Sequence, residues 1–336
     1  MYYVGLDVHS RQSTFCVLDN EGTKVLSRTI HGRWDKVLEE LHQVKRPFTV
    51  CFEASTGYGP LHDGLRGIAD RVVMAHPGHL RLIFGSKRKN DRVDAAKLAL
   101  LLYAGIVQPV HVPSSRVRGW RRLIEHRHAL VAERTRVKNR TRALLRSVGA
   151  RPPKGLWTQN GMTWLRTVEF SEPGDALQRD LRVERLASLD TMIRRVEDEL
   201  NRIGGAHPGV TLLRTIPGVG QRTAEAVMAA IDQPRRFRKN KAIGTYFGLV
   251  PCQDASAHVN RLGHITKDGP DTARGFLVEA AWQGVRHSAR IRTRYERVCK
   301  GDPARRKIAI VATAHYLSRV MLAMLRTGET WCEAVA

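Results

Sequence analysis

The sequence predicts an α/β plus α chain: a mixed-sheet domain at the N-terminus and a helical remainder. Three observations lead there. Residues 2–8, 12–18 and 23–30 are short β-prone runs separated by turn-like pieces, Ser10-Arg11 and Asn20-Glu21-Gly22. Helix-like and strand-like segments then alternate to about residue 103. From about residue 114, apolar residues recur at helical spacing.

The first three runs read as consecutive antiparallel strands. A helical stretch at 34–44 leads to a buried strand, Phe48 to Phe52, and then to a turn rich in glycine (Gly57, Gly59). Another helix, a strand at 71–75 and a helix from Asn90 to Tyr103 complete a domain at 1–113. In the next segment, 114–205, Leu123, Leu130, Val137 and Leu144 fall seven residues apart, the pattern of a long helix or coiled-coil arm. Residues 150–178 hold Pro152, Pro153, Gly155, Gly161, Pro173 and Gly174 and read as a loop-rich connection. A second long helix at 179–203 is placed to pair antiparallel with the first. The last segment, 206–336, opens on Ile216-Pro217-Gly218-Val219-Gly220, passes a Gly-rich loop at 248–270, and is otherwise helical with a break at Gly301-Asp302-Pro303.

Charge is the outlier in composition. Across 336 residues, 56 Lys and Arg stand against 32 Asp and Glu, a formal +24. That excess attracts polyanions at long range. No strongly apolar segment of ~18 residues is expected to span a bilayer, and the N-terminus starts on a strand-like run rather than a signal peptide. The five cysteines are scattered, odd in number and without C-x-x-C spacing, which argues against a zinc ribbon and a disulfide framework and fits a reducing cytoplasm. The fourteen histidines are dispersed and read as basic-surface residues. Between Arg116 and Arg151 twelve Arg and Lys face only Glu125 and Glu133. A face so one-signed, with Arg134, Arg136, Lys138 and Arg140 at its centre, is expected to lie against nucleic acid; the alternative is a plain surface helix.

Four acids carry the chemistry. Asp7 sits near the end of the first strand and Glu53 closes the buried strand, where acids are poor strand formers. Asp91 and Asp94 lie three apart at a helix start and project from one face. Converging carboxylates repel unless a cation neutralises them, and hard oxygen ligands select Mg²⁺ or Mn²⁺. The plainer alternative is that Asp91 and Asp94 complement the helix N-terminus and that the strand-end acids are turn residues. Further on, Gly218 and Gly220 between helical runs have the form of a helix-hairpin-helix, in which glycines admit a phosphate to the backbone. A Gly-rich turn between packed helices is the alternative.

With these residues in hand, the sequence resembles the RNA-guided, serine-using DEDD transposases of bacterial insertion sequences. The resemblance rests on Gly5-Leu6-Asp7-Val8-His9, Phe52-Glu53-Ala54-Ser55-Thr56-Gly57 and Lys89-Asn90-Asp91-Arg92-Val93-Asp94-Ala95. Later segments continue it: Gly248-Leu249-Val250-Pro251, Gly263-His264-Ile265-Thr266-Lys267-Asp268-Gly269 and Leu277-Val278-Glu279-Ala280-Ala281. The resemblance extends over essentially the whole chain. It implies a RuvC-like, ribonuclease-H-like N-terminal domain that binds Mg²⁺ or Mn²⁺ through Asp7, Glu53, Asp91 and Asp94. It also implies a C-terminal transposase domain in which Ser256 is the nucleophile. Acids and serine would form one composite site between subunits of a dimer or tetramer. A structured guide RNA would pair with donor and target DNA. Lys267 and Arg274 are candidates for holding the scissile phosphate; the alternative for either is a solvated cation. The implied location is the bacterial cytoplasm, on the nucleoid. The chain departs from the family's usual Ser-Ser-Gly, having Ala255-Ser256-Ala257-His258 instead, and Ser256 is the only serine between Gly248 and Gly263.

Other classes remain. A metal-dependent Holliday-junction nuclease would use water and leave Ser256 idle. An actin-like ATPase also places an Asp after its first strand but needs a second Gly-rich phosphate loop, which is not found here. A nucleic-acid-binding protein without catalysis would be left if the acids hold no metal.

Overall fold

The computed structural model describes residues 1–55, 57–78, 80, 90–256 and 259–333, with backbone alone at 255, 256, 259 and 260. They divide into two compact units, Met1–Ser115 and Arg116–Ala336. In the first, β1 (Tyr2–Val8), β2 (Gln12–Leu18) and β3 (Lys24–His31) are followed by α1 (Trp34–Leu41), β4 (Phe48–Glu53), α2 (Tyr58–Ile68), β5 (Arg71–Ala75) and α3 (Asp91–Tyr103). The sheet has five strands in the order β3-β2-β1-β4-β5. β1 pairs antiparallel with β2 and parallel with β4.

Side-chain alternation along these strands sorts residues onto two covered faces. Val4, Leu6, Val50 and Phe52 pack with Val37 and Leu41 of α1 and with Leu61 and Leu65 of α2. On the other face, Cys16, Cys51 and Val73 meet Ala95, Leu98, Ala99 and Leu102 of α3. Gly5 belongs to that second face. A Cβ built on it would lie 2.1 Å from the Ala95 carbonyl oxygen and 2.2 Å from the Ala99 nitrogen. α3 therefore rests directly on the β1 backbone, and only a hydrogen at position 5 allows that. Asn90 caps the helix, its side chain accepting from the Arg92 amide at 3.0 Å.

In the second unit, α4 (Ser115–Ser147) and α6 (Pro173–Gly204) form the antiparallel pair, with α5 (Gln159–Thr167) between them. Reversed pairing is visible in the contacts: Arg127 donates to Glu197 at 2.7 Å, and Arg134 to Asp190 at 2.8 Å. Leu130, Leu189 and Ile193 fill the middle of the pair; Leu145, Leu156, Leu165 and Val183 fill its far end. The connection expected to be loop-rich thus contains a helix, and α6 starts six residues earlier than the breakers suggest. Thr158 caps α5 and Pro173 occupies the first turn of α6, where its missing N–H costs nothing.

The rest of this unit holds α7 (Pro208–Leu213), α8 (Gln221–Ile231), α9 (Ala242–Tyr246), β6 (Pro251–Ser256), β7 (Val259–Ile265), α10 (Asp271–His287), α11 (Ala289–Cys299) and α12 (Arg306–Thr327). Residues expected to be a loop at 248–270 contain an antiparallel hairpin, β6 with β7. Its described flanks, Pro251 to Asp254 and Arg261 to His264, are exposed, so no core-facing alternation announces a strand. A second correction concerns α12. By length and composition the stretch Pro303–Thr327 is apolar enough to cross a membrane. Half of its most apolar 18 residues are buried, with Ile310, Ala314, Leu317, Met321 and Leu322 at the centre of the unit's core. Its apolar character is that of a central core helix.

Gly5→Ala is expected to destabilise the first unit by about 2 kcal/mol or more, because backbone must move to admit the methyl group. Denaturant unfolding of the two proteins checks this, and an unchanged midpoint would mean that α3 does not depend on the bare strand.

Candidate functional site

Gly5 and Asp7 share one side of β1 by alternation, the side on which α3 lies, and His9 follows just past the strand's end. β4 runs beside β1 in parallel register, Leu6 opposite Phe52. Asp7 and Glu53 each follow that pair by one residue, so both acids leave the sheet at the same level. α3 is held against β1 by Gly5 and presents Asp91 and Asp94 in its first turn.

Three of these groups draw close. Ligand atoms of Asp7, His9 and Asp91 lie within 4.8 Å of one another. His9 Nε2 is 3.3 Å from Asp7 Oδ2 and 3.7 Å from Asp91 Oδ1, bridging the two acids. Gln12 donates to Asp91 Oδ2 at 2.6 Å. Lys97 Nζ stands 3.7 Å from Asp94 Oδ1, one helical turn on. Asp7 is the less exposed of the two clustered acids, its side chain 15% accessible against 33% for Asp91. Burial raises its carboxyl above the usual range; the charges of Asp91 and Asp94 push the same way, and His9 pulls down.

Two carboxylates and an imidazole within reach of one point suit a divalent cation, with Mn²⁺ accommodating nitrogen and oxygen together and Mg²⁺ preferring the oxygens. Asp94 lies outside this triad yet acts on Asp7 through its charge. Glu53 is exposed at its strand end and is not one of the three. His9 is a correction: it belongs to the acid cluster and not to a generic basic surface. Its signal was the Asp7-x-His9 spacing, which brings the imidazole back to the Asp7 side just past the strand's end. Beside the cluster, Lys24, Arg92 and Lys97 line a cavity of about 590 Å³ with Ser27, Val93 and Ala96. The same short helix carries acids at its start and cations along its flank.

The predicted nucleic-acid residues fall into two groups. Arg136 and Arg140 are exposed on α4. Arg134 is instead engaged by Asp190, and Lys138 sits 5.2 Å from the centre of the Trp157 ring, where burial lowers its basicity. Much of the arm's one-signed charge is thus answered by acids and rings of its own hairpin. At the glycine turn, Gly218 has φ +87°, and a Cβ there would lie 2.5 Å from the Gly284 nitrogen of α10. Its hydrogen is needed for intramolecular packing. Gly220, by contrast, leads into α8 with open space where a Cβ would sit. Lys267 is exposed, whereas Arg274 donates to the carbonyls of Phe247 at 3.1 Å and Asp268 at 2.8 Å. Ser256 is the last residue of β6, paired across the hairpin with Val259. Its side chain lies outside the described residues, as do Thr56, Lys89, Ala257 and His258.

Comparison with known proteins adds independent findings. Residues 4–149 match the IS110-type DEDD family model described as "Transposase". Residues 210–296 match the model described as "Transposase IS116/IS110/IS902 family". The chain is 25% identical to the transposase for insertion sequence element IS1111A of Coxiella burnetii, over 98% of its own length and 90% of the relative's. It is 28% identical to a protein of Pseudomonas aeruginosa named "Probable family 20 transposase", over 70% of the chain and 72% of that protein. It is 25% identical to the transposase for IS1328 of Yersinia enterocolitica, over 70% of each.

The raised Asp7 carboxyl makes a prediction with a definite sign. The folded state holds that proton more tightly than the unfolded chain does. Its contribution to stability therefore falls as pH rises from the ordinary carboxylate range through the raised folded value. Metal-free Asp7→Asn is accordingly expected to be more stable than wild type at pH 7. Mn²⁺ at about 100 times its Kd should stabilise wild type by ~2.7 kcal/mol and the variant far less. Thermal unfolding with and without Mn²⁺ reads both effects, and equal stabilisation of the two proteins would remove Asp7 from the site.

Proposed function

The chain belongs to the IS116/IS110/IS902 family of transposases, and from that premise we propose that it cuts and rejoins DNA through a covalent serine–DNA intermediate. The observation that carries the chemistry is the approach of Asp7, His9 and Asp91 to one point at the end of β1. Strand order β3-β2-β1-β4-β5, with single acids near the ends of β1 and β4 and an acid pair opening α3, supports the RuvC-like reading of the first unit.

Asp7 and Asp91 hold the cation, Mg²⁺ or Mn²⁺, with Asp94 and Glu53 completing the negative field around it. Gln12 fixes the Asp91 carboxylate, and His9 keeps the two acids together between turnovers. The bound cation supplies Lewis-acid stabilisation of charge at the scissile phosphate. Arg92 and Lys97 steer the phosphate backbone past the acids. Ser256 Oγ attacks phosphorus, forming a serine–phosphate ester as the bond to the leaving sugar oxygen breaks; attack by a DNA hydroxyl then restores the serine. Lys267 meets the strand near the hairpin, while Arg274 braces the loop behind it. Gly220 and the start of α8 take a backbone phosphate in the manner of a helix-hairpin-helix. A structured guide RNA selects donor and target DNA, and the active form is a dimer or tetramer in the bacterial cytoplasm, on the nucleoid. Sequencing of RNA that co-purifies with the protein from its native host tests the guide.

Wild-type protein stalled on a nicked substrate is expected to carry DNA on Ser256. Ser256→Ala should lose both the adduct and recombination while DNA binding persists, since an isolated hydroxyl contributes little to affinity. Asp94→Asn should abolish cleavage with the fold intact. An adduct mapped to another residue, or recombination by the alanine variant, would return the protein to the water-attacking nuclease class.

On the arm, Arg136→Glu with Arg140→Glu is expected to flatten the slope of log affinity against log salt for duplex DNA by roughly 1.8, near 0.9 for each phosphate that is no longer neutralised. An unchanged slope would make α4 a packing helix alone.

A further inference from the structure

The second unit gathers arginines around one cleft. Arg290, Arg294 and Arg297 lie at helical spacings of four and three along α11, and so on one face. Opposite them, α12 presents Tyr316 and Arg319 above Val320 and Ala323. Together with Asn240 and Thr293 these residues line a cavity of about 490 Å³, and none of the lining residues is an acid.

Like charges one turn apart destabilise a helix unless something neutralises them. Four guanidinium groups around one cavity raise that cost. Arg290 is accounted for: its Nε donates to the Tyr316 hydroxyl at 3.0 Å and its Nη1 to the Cys332 carbonyl at 2.7 Å. The inner groups are less well matched: the Arg294 guanidinium stands 6.0 Å from the centre of the Tyr316 ring, a contact that leaves its N–H donors unused. Nε of Arg294 and Nε of Arg319 are both buried, and among the described residues neither has a hydrogen-bond partner. Buried, unsatisfied cationic donors are rare because each costs on the order of 1–3 kcal/mol or more. The uncompensated field is felt nearby, since the basicity of His315 is lowered first by burial and then by Arg319 and Arg294.

A planar fork of N–H donors matches phosphate oxygens two at a time, which is why arginine rather than lysine builds such sites. A cavity of this volume accepts one nucleotide unit but not the breadth of a duplex. Tyr316 offers a ring beside the cations, the pairing that single strands use. We propose that the cleft between α11 and α12 is a phosphate-binding site that grips one nucleotide of a single-stranded nucleic-acid segment. It shares no residue with the acid cluster of the first unit or with the β6–β7 hairpin, and it requires no catalysis at either.

The test titrates inorganic phosphate, thymidine monophosphate and a ten-nucleotide single-stranded DNA into the full chain by calorimetry. Wild type is expected to bind phosphate and the mononucleotide saturably. Arg294→Gln with Arg319→Gln should weaken both by at least tenfold. Arg297→Glu is the companion variant, because position 297 is exposed, so the fold is kept while a carboxylate enters the mouth of the cleft. The same tenfold loss is expected from it. No saturable phosphate binding by wild type, or equal affinity in Arg297→Glu, overturns the site. The ten-mer separates the two sources of phosphate. With a strand in the cleft, Arg297→Glu should lower the salt slope of ten-mer binding by about 0.7 for each phosphate it ceases to neutralise. An unchanged slope beside abolished mononucleotide binding would assign the cleft to a free nucleotide and overturn the strand assignment.

Discussion

The candidate centre depends on backbone-to-helix contact at Gly5. A strand and a covering helix ordinarily keep side chains between them, which holds their axes about 10 Å apart. Here the missing side chain at position 5 lets the Ala95 carbonyl and the Ala99 amide come down onto β1. Ala95 and Ala99 continue the small surface from the helix side, both fully buried. The consequence is felt one turn earlier, at Asp91, and two residues further along the strand, at Asp7. Neither acid chooses its neighbour; the packing of small residues behind them does. Burying Asp7 costs stability in the absence of a counterion: burial is the main reason its carboxyl is raised, and the charges of Asp91 and Asp94 add to it. His9 and Gln12 offset part of it by donating into the cluster.

Charge in the second unit follows a different rule. A basic chain of +24 can spread its excess over solvent or concentrate it. Along the α4–α6 hairpin, opposite charges are interleaved across the two helices, as in Arg127 with Glu197 and Arg185 with Glu133. Exposed pairs of this kind contribute little to stability, ~0–1 kcal/mol each, but they set register and use up cations that would otherwise face a polyanion. Among the described residues, Arg136 and Arg140 escape this pairing, and so do the arginines of the α11–α12 cleft. Electrostatic attraction to nucleic acid is therefore better assigned to particular faces than to the formal charge of the chain.

Most of the architecture was legible from local pattern. The five strands of the first unit, as short β-prone runs bounded by turn residues, occur where expected, as do the long helices. Three features were not legible, each for a physical reason. α5 and the start of α6 were hidden because proline and glycine break helices in their interiors but are welcome in the first turn, and sequence alone does not say which position they hold. The β6–β7 hairpin has no buried face to impose alternation, so its residues look like loop. α12 was expected as a helix, but its uncharged run from Ile308 to Ser318 was not recognised as part of a stretch apolar enough to cross a membrane, because Arg319 interrupts it. At the site, Asp7, Asp91 and Asp94 were readable as acids at element ends. That His9 joins them was hidden by its being one histidine among fourteen, although its two-residue offset from Asp7 contained the information. The inward turn of Arg134 and Lys138 could not be read at all, since it depends on which acids and rings the partner helix brings opposite.

The two glycines at 5 and 218 argue for a common reading of small residues in this chain. Each permits one backbone to touch another, Gly5 beneath α3 and Gly218 against Gly284 of α10. At position 218 the sequence context suggested a phosphate contact, and the geometry instead uses the glycine for helix packing. That outcome narrows where a nucleic-acid strand can approach the turn, because the face of the loop occupied by α10 is closed to it. Gly220, two residues on, keeps open space beside it and precedes the unpaired amides of α8. If a phosphate is bound at this turn, it must enter from the Gly220 side, and residues that shape the opposite side act on DNA only through the packing of α8 against α10.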